Sequence, residues 1–552
     1  MSMREIHFDA HAATRAPANP GYDVVIVGAG SAGCLLAARL SADPATRVLL
    51  IEAGSAERHP WLRIPAGVSR IARLAGATWQ YHSEPEQELG GRRVPFYQGR
   101  VMGGSGAING LVYMRGDRAD YDGWRAMAGD EWGWDAVRPF FDATTVAARP
   151  GDPSLAVSVA RNHSAISEVF VQAACDAGFA LRDEFNEGCH EGIGYVPHTI
   201  RDGLRVSSAS AFLAPARCRA NLHVLRAAVV RRVLFRDRRA YGVELDLGAT
   251  RTCVTAATVV LCAGALLSPA LLMRSGVGAP DTLAAAGIPL VHANDEVGRQ
   301  LQDHPSVAIA IEAVPSASDN RRIRFPGLAG EITAYLARRT GMLSKGPTHV
   351  YGYFRSSTHE PRPDLQLTFR PYAIRVGARG VHPLPVPSVS VGIMNVRPES
   401  RGAVVLDAAN PWGAPRVTLN YLSTPADRMR IVAGIRTLRA LWRAPALHGI
   451  LLREHDTGLP DAADDAMLLD FARRRVRSGL HFAGSCAIGR TGGVVDPCLR
   501  VRGVDGLYVA DASVMPAIPS ANTNAATLMI AERAAVFIRD GRAAESSGRV
   551  RA

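Results

Sequence analysis

Residues Gly28-Ala29-Gly30-Ser31-Ala32-Gly33 spell G-x-G-x-x-G, and the segments on either side constrain the fold most. Before the loop, residues 23–27 (DVVIV) form a short β-branched run bounded by glycine, which predicts a buried parallel strand. After it, residues 32–40 predict a helix and residues 47–51 (RVLLI) a second buried strand. Strand, helix and strand within about thirty residues make a βαβ unit. In such a unit Gly28 permits the tight turn and Gly30 lets a pyrophosphate approach the backbone. Gly33 lets helix and strand pack closely, and Ser31 and Ala32 open the helix whose free N–H groups favour anions. Glu52, followed by Ala53, closes the second strand, where a carboxylate can hold ribose hydroxyls. The loop alone does not separate FAD from NAD.

The rest of the chain predicts a larger α/β molecule. Its 552 residues exceed one ordinary core. Residues 124–141, 427–444, 461–475 and 527–539 predict helices, and 223–247, 250–262 and 506–509 predict strands. Between about 305 and 400, short alternating stretches (365–369 and 388–393) and proline-rich loops predict an antiparallel sheet with long connections.

The net charge of +12 invites a nucleic-acid reading. The basic residues are spread among acids, however, and the densest run, Arg473-Arg474-Arg475-Val476-Arg477, predicts a solvated helix face, so no nucleic-acid partner is expected. The eight cysteines include no CxxC pair, and Cys189-His190 has no second pair at zinc spacing, so free thiols and no metal are expected. Residues 1–20 lack a continuous apolar segment, and the longest apolar stretch, 256–273, is broken by Gly264 and Ser268-Pro269. No membrane span, a cytoplasmic location and flexible ends at 1–20 and 541–552 are the expectation.

Four further segments carry a family pattern. Residues 99–109 read GRVMGGSGAIN and are followed by GLVYMRG. Residues 264–278 read GALLSPALLMRSGVG, and residues 297–305 read VGRQLQDHP. Residues 494–516 read VVDPCLRVRGVDGLYVADASVMP and are followed by AIPSANTNAATLMIAE. Together with the βαβ unit they resemble the glucose–methanol–choline (GMC) oxidoreductases from residue 23 to about residue 538. The tail is most similar to bacterial choline-dehydrogenase-like members and hydroxymethylfurfural oxidase.

The resemblance implies FAD and a two-domain fold. A Rossmann-type FAD-binding domain with a parallel sheet would be assembled from 21–160, 195–305 and 475–540. A substrate-binding domain with an antiparallel sheet would comprise 161–194 and 306–474. It also places Val101, Gly103, Gly104, Asn109 and Gly110 beside the flavin, and Val230 beside the adenine. Asp511 and Ala512 fall near the ribityl and pyrophosphate region, and Thr523 near the flavin ring. Some members tether FAD through a histidine just before the residue matching Asn109; here that residue is Ile108, which implies non-covalent FAD.

His481, in GLHFAGSC, resembles the family histidine that accepts the alcohol proton while hydride leaves carbon for flavin N5. An imidazole titrates near working pH and suits that task. Asn522 stands where members carry His or Asn; its amide can orient the substrate oxygen. Asn524 is the better candidate for a helix cap. Cys486, close to His481, is expected to pack rather than react. The implied activity is oxidation of a primary alcohol, with oxygen or another acceptor completing the cycle. A GMC-fold cyanohydrin lyase or flavin photodecarboxylase is the alternative. The sequence does not specify the alcohol, the acceptor or the oligomeric state.

Overall fold

The computed structural model describes residues 21–54, 59–71, 74, 76–145, 153–160, 163–377 and 380–549. The N-terminal segment expected to be flexible, 1–20, lies outside them. The first sheet begins with β1 (Tyr22–Val27), α1 (Ser31–Leu40) and β2 (Val48–Ile51), the βαβ unit expected from the sequence. It continues through β3 (Leu222–Leu225), β4 (Ala228–Arg236), β5 (Arg239–Leu247) and β6 (Thr250–Leu261). Its order is β3-β2-β1-β6-β5-β4, and the short strand Leu507–Val509 adds to β6. Val24, Val25 and Ile26 are fully buried because the parallel part of the sheet is covered on both faces. β6 serves two pairings. Its first half runs antiparallel to β5, and residues 256–261 run parallel to β1. The helix Thr523–Arg549 packs on α1, so the C-terminal part of the chain closes the layer opened by the N-terminal part.

The second sheet contains β7 (Pro305–Ala313), β8 (Val350–Phe354), β9 (Leu365–Arg370), β10 (Ser388–Asn395), β11 (Leu451–His455) and β12 (Arg477–Ser478). It is antiparallel throughout, in the order β11-β7-β10-β9-β8, with the strand Gly192–Tyr195 beyond β8 and β12 paired to β7. Successive side chains in a strand point to opposite faces. Leu365, Leu367 and Phe369 of β9 and Val389, Val391 and Ile393 of β10 are buried, and the long helix Pro425–Trp442 packs against these two strands. The alternate positions, Thr368, Arg370, Ser390, Gly392 and Met394, line a large cavity on the other side.

Four expectations shift. The helix expected over 124–141 is two helices, Arg118–Ala128 and Trp134–Thr145, because Gly129 at φ 125° ends the first. The helix expected from 461 begins at Asp465, where the Asp464 carboxylate accepts from Met467 N at 2.8 Å and caps it. Arg477–Ser478, inside a segment assigned to the FAD-binding domain, pairs with Ser306 and Pro305 of the second sheet. Residues 541–549, expected to be flexible, continue the helix that starts at Thr523, and only 550–552 fall outside the description. Among the described residues, no helix is long and apolar enough to cross a membrane.

Candidate active site

The dinucleotide loop lies where β1 meets α1. Gly28 has φ 101°, and a Cβ there would stand 2.5 Å from the carbonyl oxygen of Cys262. A Cβ at Gly33 would lie 1.9 Å from the carbonyl oxygen of Gly28, so helix and loop touch through bare backbone. A second glycine loop closes over the first. Gly103 N donates to Ala29 O at 2.7 Å, and a Cβ on Gly104 would sit 2.6 Å from Gly30 Cα. Gly104→Val is therefore expected to strip bound FAD from the purified protein; full flavin absorbance in that variant would refute this reading of the loop.

The two carboxylates at this end brace the walls. Glu52 accepts from Ala29 N at 3.0 Å and Gly54 N at 2.8 Å, and burial pushes it up to about 7. Asp511 accepts from Gly264 N (2.8 Å), Ser268 Oγ (2.6 Å) and Ser513 N (2.8 Å). The cavity they border has a volume of about 1,370 Å³. That exceeds the ~300–1,000 Å³ of ordinary small-ligand pockets and leaves room for a dinucleotide together with a small substrate.

Gly28, Gly30, Ser31, Ala32, Glu52 and Ala53 line one end of this cavity, with Val230 beside them. Gly104, Asn109, Gly110, Asp511, Ala512, Asn522 and Thr523 line it as well. Gly33, Val101 and Gly103 stand behind the wall and shape it. Ile108 is buried and carries no nucleophile. These features fit FAD: a helix N-terminus bordered by glycine, a carboxylate at the end of the second strand, and a roomy cavity. Buried polar atoms also stand along the cavity without hydrogen-bond partners among the described residues, Gln98 Oε1 and Asn522 Oδ1. Asn524, expected as a helix cap, instead sits inside the closing helix and accepts from Ser31 Oγ at 2.6 Å, tying the two helix starts together.

His481 and Asn522 meet in the cavity wall between the two sheets. Asn522 Nδ2 is 2.9 Å from His481 Nε2. With the amide nitrogen facing it, Nε2 accepts, so Nδ1 carries the proton and donates to Nδ1 of His304, 3.0 Å away. Burial holds His481 down to about 4, so the imidazole is neutral at ordinary pH. Burial, and then the neighbouring His481, hold His304 well below its usual value. The backbone of His481 is fixed as well, donating from N to Asp303 Oδ1 at 2.8 Å. Asp303 also accepts from the hydroxyls of Tyr421 and Ser478, and its burial pushes it up to about 6.

Asn522 has its own brace. Asp120 Oδ2 accepts from Ser520 N (2.8 Å) and Ser520 Oγ (2.6 Å), two residues before Asn522. Asp120 Oδ1 accepts from Arg362 and Arg397, each at 3.1 Å. Cys486 is fully buried, which pushes its thiol far up and keeps it from acting as a nucleophile. Among the described residues no group of three His, Cys, Asp or Glu gathers for a metal ion. Sequence reading gave no role to His304, Asp303 or Asp120. For the first two a signal was present, since Asp303-His304 lies inside the segment VGRQLQDHP that carried the family pattern. Nothing local marks Asp120.

Comparison with known proteins agrees with this architecture. The N- and C-terminal family profiles described as GMC oxidoreductase match residues 22–306 and 398–531. An alcohol dehydrogenase [acceptor] of Pseudomonas putida is 37% identical over 534 residues, covering 94% of this chain and 95% of its own. An oxygen-dependent choline dehydrogenase of Vibrio vulnificus is 34% identical over 531 residues, 94% of each chain. The crystal structure of pyridoxine 4-oxidase from Mesorbium loti superposes with a TM-score of 0.82 at 32% identity, over 94% of this chain and 99% of that one. The chain belongs to the GMC oxidoreductase family and is an FAD-dependent oxidoreductase.

Proposed function

We propose that the protein oxidises a primary alcohol to an aldehyde, with His481 as the base and Asn522 orienting the substrate oxygen. The observation that carries this is the contact of Asn522 Nδ2 with His481 Nε2, 2.9 Å apart at a cavity wall that also holds the dinucleotide loop. FAD, when bound, takes up the hydride released from the substrate carbon. The chain does the rest. An alcohol oxygen entering between the two side chains replaces their mutual contact: it gives its proton to the Nε2 lone pair and accepts from the Asn522 amide. His304 holds the opposite ring nitrogen and fixes the tautomer in which Nε2 is the acceptor. The pyrophosphate is assigned to Gly28–Gly33 at the N-terminus of α1, the ribose to Glu52, and the adenine to the backbone at Val230. Asn109, Ala512 and Thr523 are assigned to the flavin end, with FAD held non-covalently because Ile108 offers no attachment. This reading keeps 21–160, 195–305 and 475–540 as the FAD-binding part and 161–194 and 306–474 as the substrate-binding part, with β12 lent to the second sheet. The eight free cysteines support a reducing compartment such as the cytoplasm.

The test is an anaerobic visible spectrum of the holoprotein with a panel of primary alcohols in the dark. Bleaching of the flavin band by any of them supports the proposal, and readmitted air then separates oxidase from dehydrogenase. Failure of the whole panel, with FAD bound, shifts the reading to a lyase, a photochemical role or an unusual substrate.

The acid limb of the pH profile is a second test. His481 is held below the ordinary histidine value, so its neutral, base-competent form persists to lower pH. The histidines touch, and the apparent value belongs to the pair. The rate of anaerobic flavin bleaching is expected to hold on acidification through pH 6.5 and to fall only well below it. A half-maximal point at or above 6.5 would contradict a buried base. For folding the sign follows from the same depression. The native state binds fewer protons at His481 between about pH 4 and 6.5, so this group's contribution to stability is present above 6.5 and is lost as pH falls towards 4.

A further inference from the structure

The substrate end of the cavity is asymmetric in charge. Two carboxylates line the cavity, Glu52 and Asp511, and both are bonded to backbone N–H groups at the cofactor end. At the other end the sheet floor presents Arg370, with Lys345 on the loop above it and no carboxylate among the described lining residues. Arg370 is half-buried. Its Nε donates to Thr348 Oγ1 at 3.1 Å, and its two terminal nitrogens have no hydrogen-bond or ion-pair partner among the described residues. The charge stands amid the cavity phenols Tyr97, Tyr351 and Tyr372, each close enough to feel it. The free edge of Arg370 faces the cavity, where a ligand anion can pair with it.

The placement relative to the chemistry follows from the ladder. Tyr351 stands beside Asn522 and is paired with Thr368. Arg370 is two residues further along the same face of the same strand, about 7 Å away at the Cα positions. Thr348 occupies Nε, which leaves the edge formed by the two terminal nitrogens. That edge matches the two oxygens of a carboxylate. We propose that the substrate is an alcohol whose far end carries a carboxylate, and that Arg370 binds that carboxylate while the hydroxymethyl group meets His481 and Asn522. This rests on the assignment of alcohol oxidation made above. A quaternary ammonium at the same place would meet a cation in place of a carboxylate.

The experiment uses the FAD-loaded protein and three substrates with one core: 4-(hydroxymethyl)benzoate, 4-(hydroxymethyl)benzamide and 4-(hydroxymethyl)phenyltrimethylammonium. Anaerobic flavin bleaching is expected to give the benzoate a kcat/KM about 10–100-fold above the amide, with the ammonium lowest, the range of a charge-assisted bidentate pair. Arg370→Met is expected to narrow the benzoate-to-amide ratio to about threefold or less, and Arg370→Lys, which keeps the charge and loses the fork, to leave it intermediate. The flavin spectrum of each variant reports whether it has folded and loaded. A benzoate no better than the amide, or a ratio untouched in Arg370→Met, overturns the proposal while leaving alcohol oxidation intact. Binding is read separately from the flavin-band shift on titration with 4-methylbenzoate or 4-methylbenzamide, neither of which can be oxidised at a hydroxyl. Tighter binding of the benzoate by about tenfold or more, lost in Arg370→Met, supports the carboxylate site even if no alcohol bleaches the flavin, in which case the oxidation reading alone fails. Equal binding of the two overturns the site.

Discussion

His481→Ala is expected to slow anaerobic flavin reduction by about 10²–10⁴-fold while FAD stays bound, the usual contribution of a positioned general base. The separation of the two effects comes from the fold. His481 is carried on the segment after β12, and the loop that cradles the dinucleotide is built by β1, α1 and the second glycine loop. Removing the imidazole leaves that cradle whole. It also leaves Asn522 without its partner at 2.9 Å and His304 without its partner at 3.0 Å. Single-turnover bleaching against alcohol concentration measures the loss, and the ratio of flavin to protein absorbance reports cofactor content. A variant that reduces flavin at the wild-type rate would remove His481 from the chemistry.

Asp120→Ala is expected to cost about 3–5 kcal/mol of stability, because truncating one partner of a buried ion pair leaves the other charge uncompensated. The Asp120 side chain is 2% exposed and Arg397 only 16%, so water cannot replace the lost carboxylate. The same change frees Ser520 N and Oγ from their acceptor and loosens the loop that presents Asn522. Urea unfolding of the holoprotein would show the loss as a lower midpoint, and a slower flavin reduction should accompany it. A midpoint within about 1 kcal/mol of wild type would mean that Arg362 and Arg397 find other partners and that Asp120 is not the tie described here.

The parts of this molecule that were legible in its sequence are those whose cause is local. The dinucleotide loop announces itself because strand, glycines, helix and acidic residue fall within thirty residues and each has its own steric or electrostatic reason. The antiparallel sheet could be sensed from alternation over 365–369 and 388–393, though its order could not, since no local preference tells β10 to pair with both β7 and β9. His481 and Asn522 were recognisable through their surrounding motifs. His304 carries no legible role in the sequence because the contact that gives it one spans 177 residues. Gly479 N donates to His304 O, and Gln302 bridges Ala483, which brings the two imidazoles together; pairing of that kind leaves no periodic trace. Asp120 was missed for a related reason. It reads as an ordinary first-turn acid of a helix, and it does close a capping box with Asp117, yet its arginines come from positions 362 and 397. Arg370 looked like one arginine among many until the strand register showed which face it occupies.

The weave of the first sheet sets a timetable for synthesis. β1 is among the first described residues to leave the ribosome, while Leu507–Val509 pairs with β6 and the helix from Thr523 packs on α1 only when those late residues emerge. At roughly 5–20 residues per second, about 25 to 100 seconds separate the two. Throughout that interval the face of α1 that the closing helix covers stays bare, since Asn524 has yet to reach Ser31 and Asp511 has yet to reach Gly264. The dinucleotide cradle is thus complete only once residues 511–524 have been made, which puts its final shape late in the life of the growing chain.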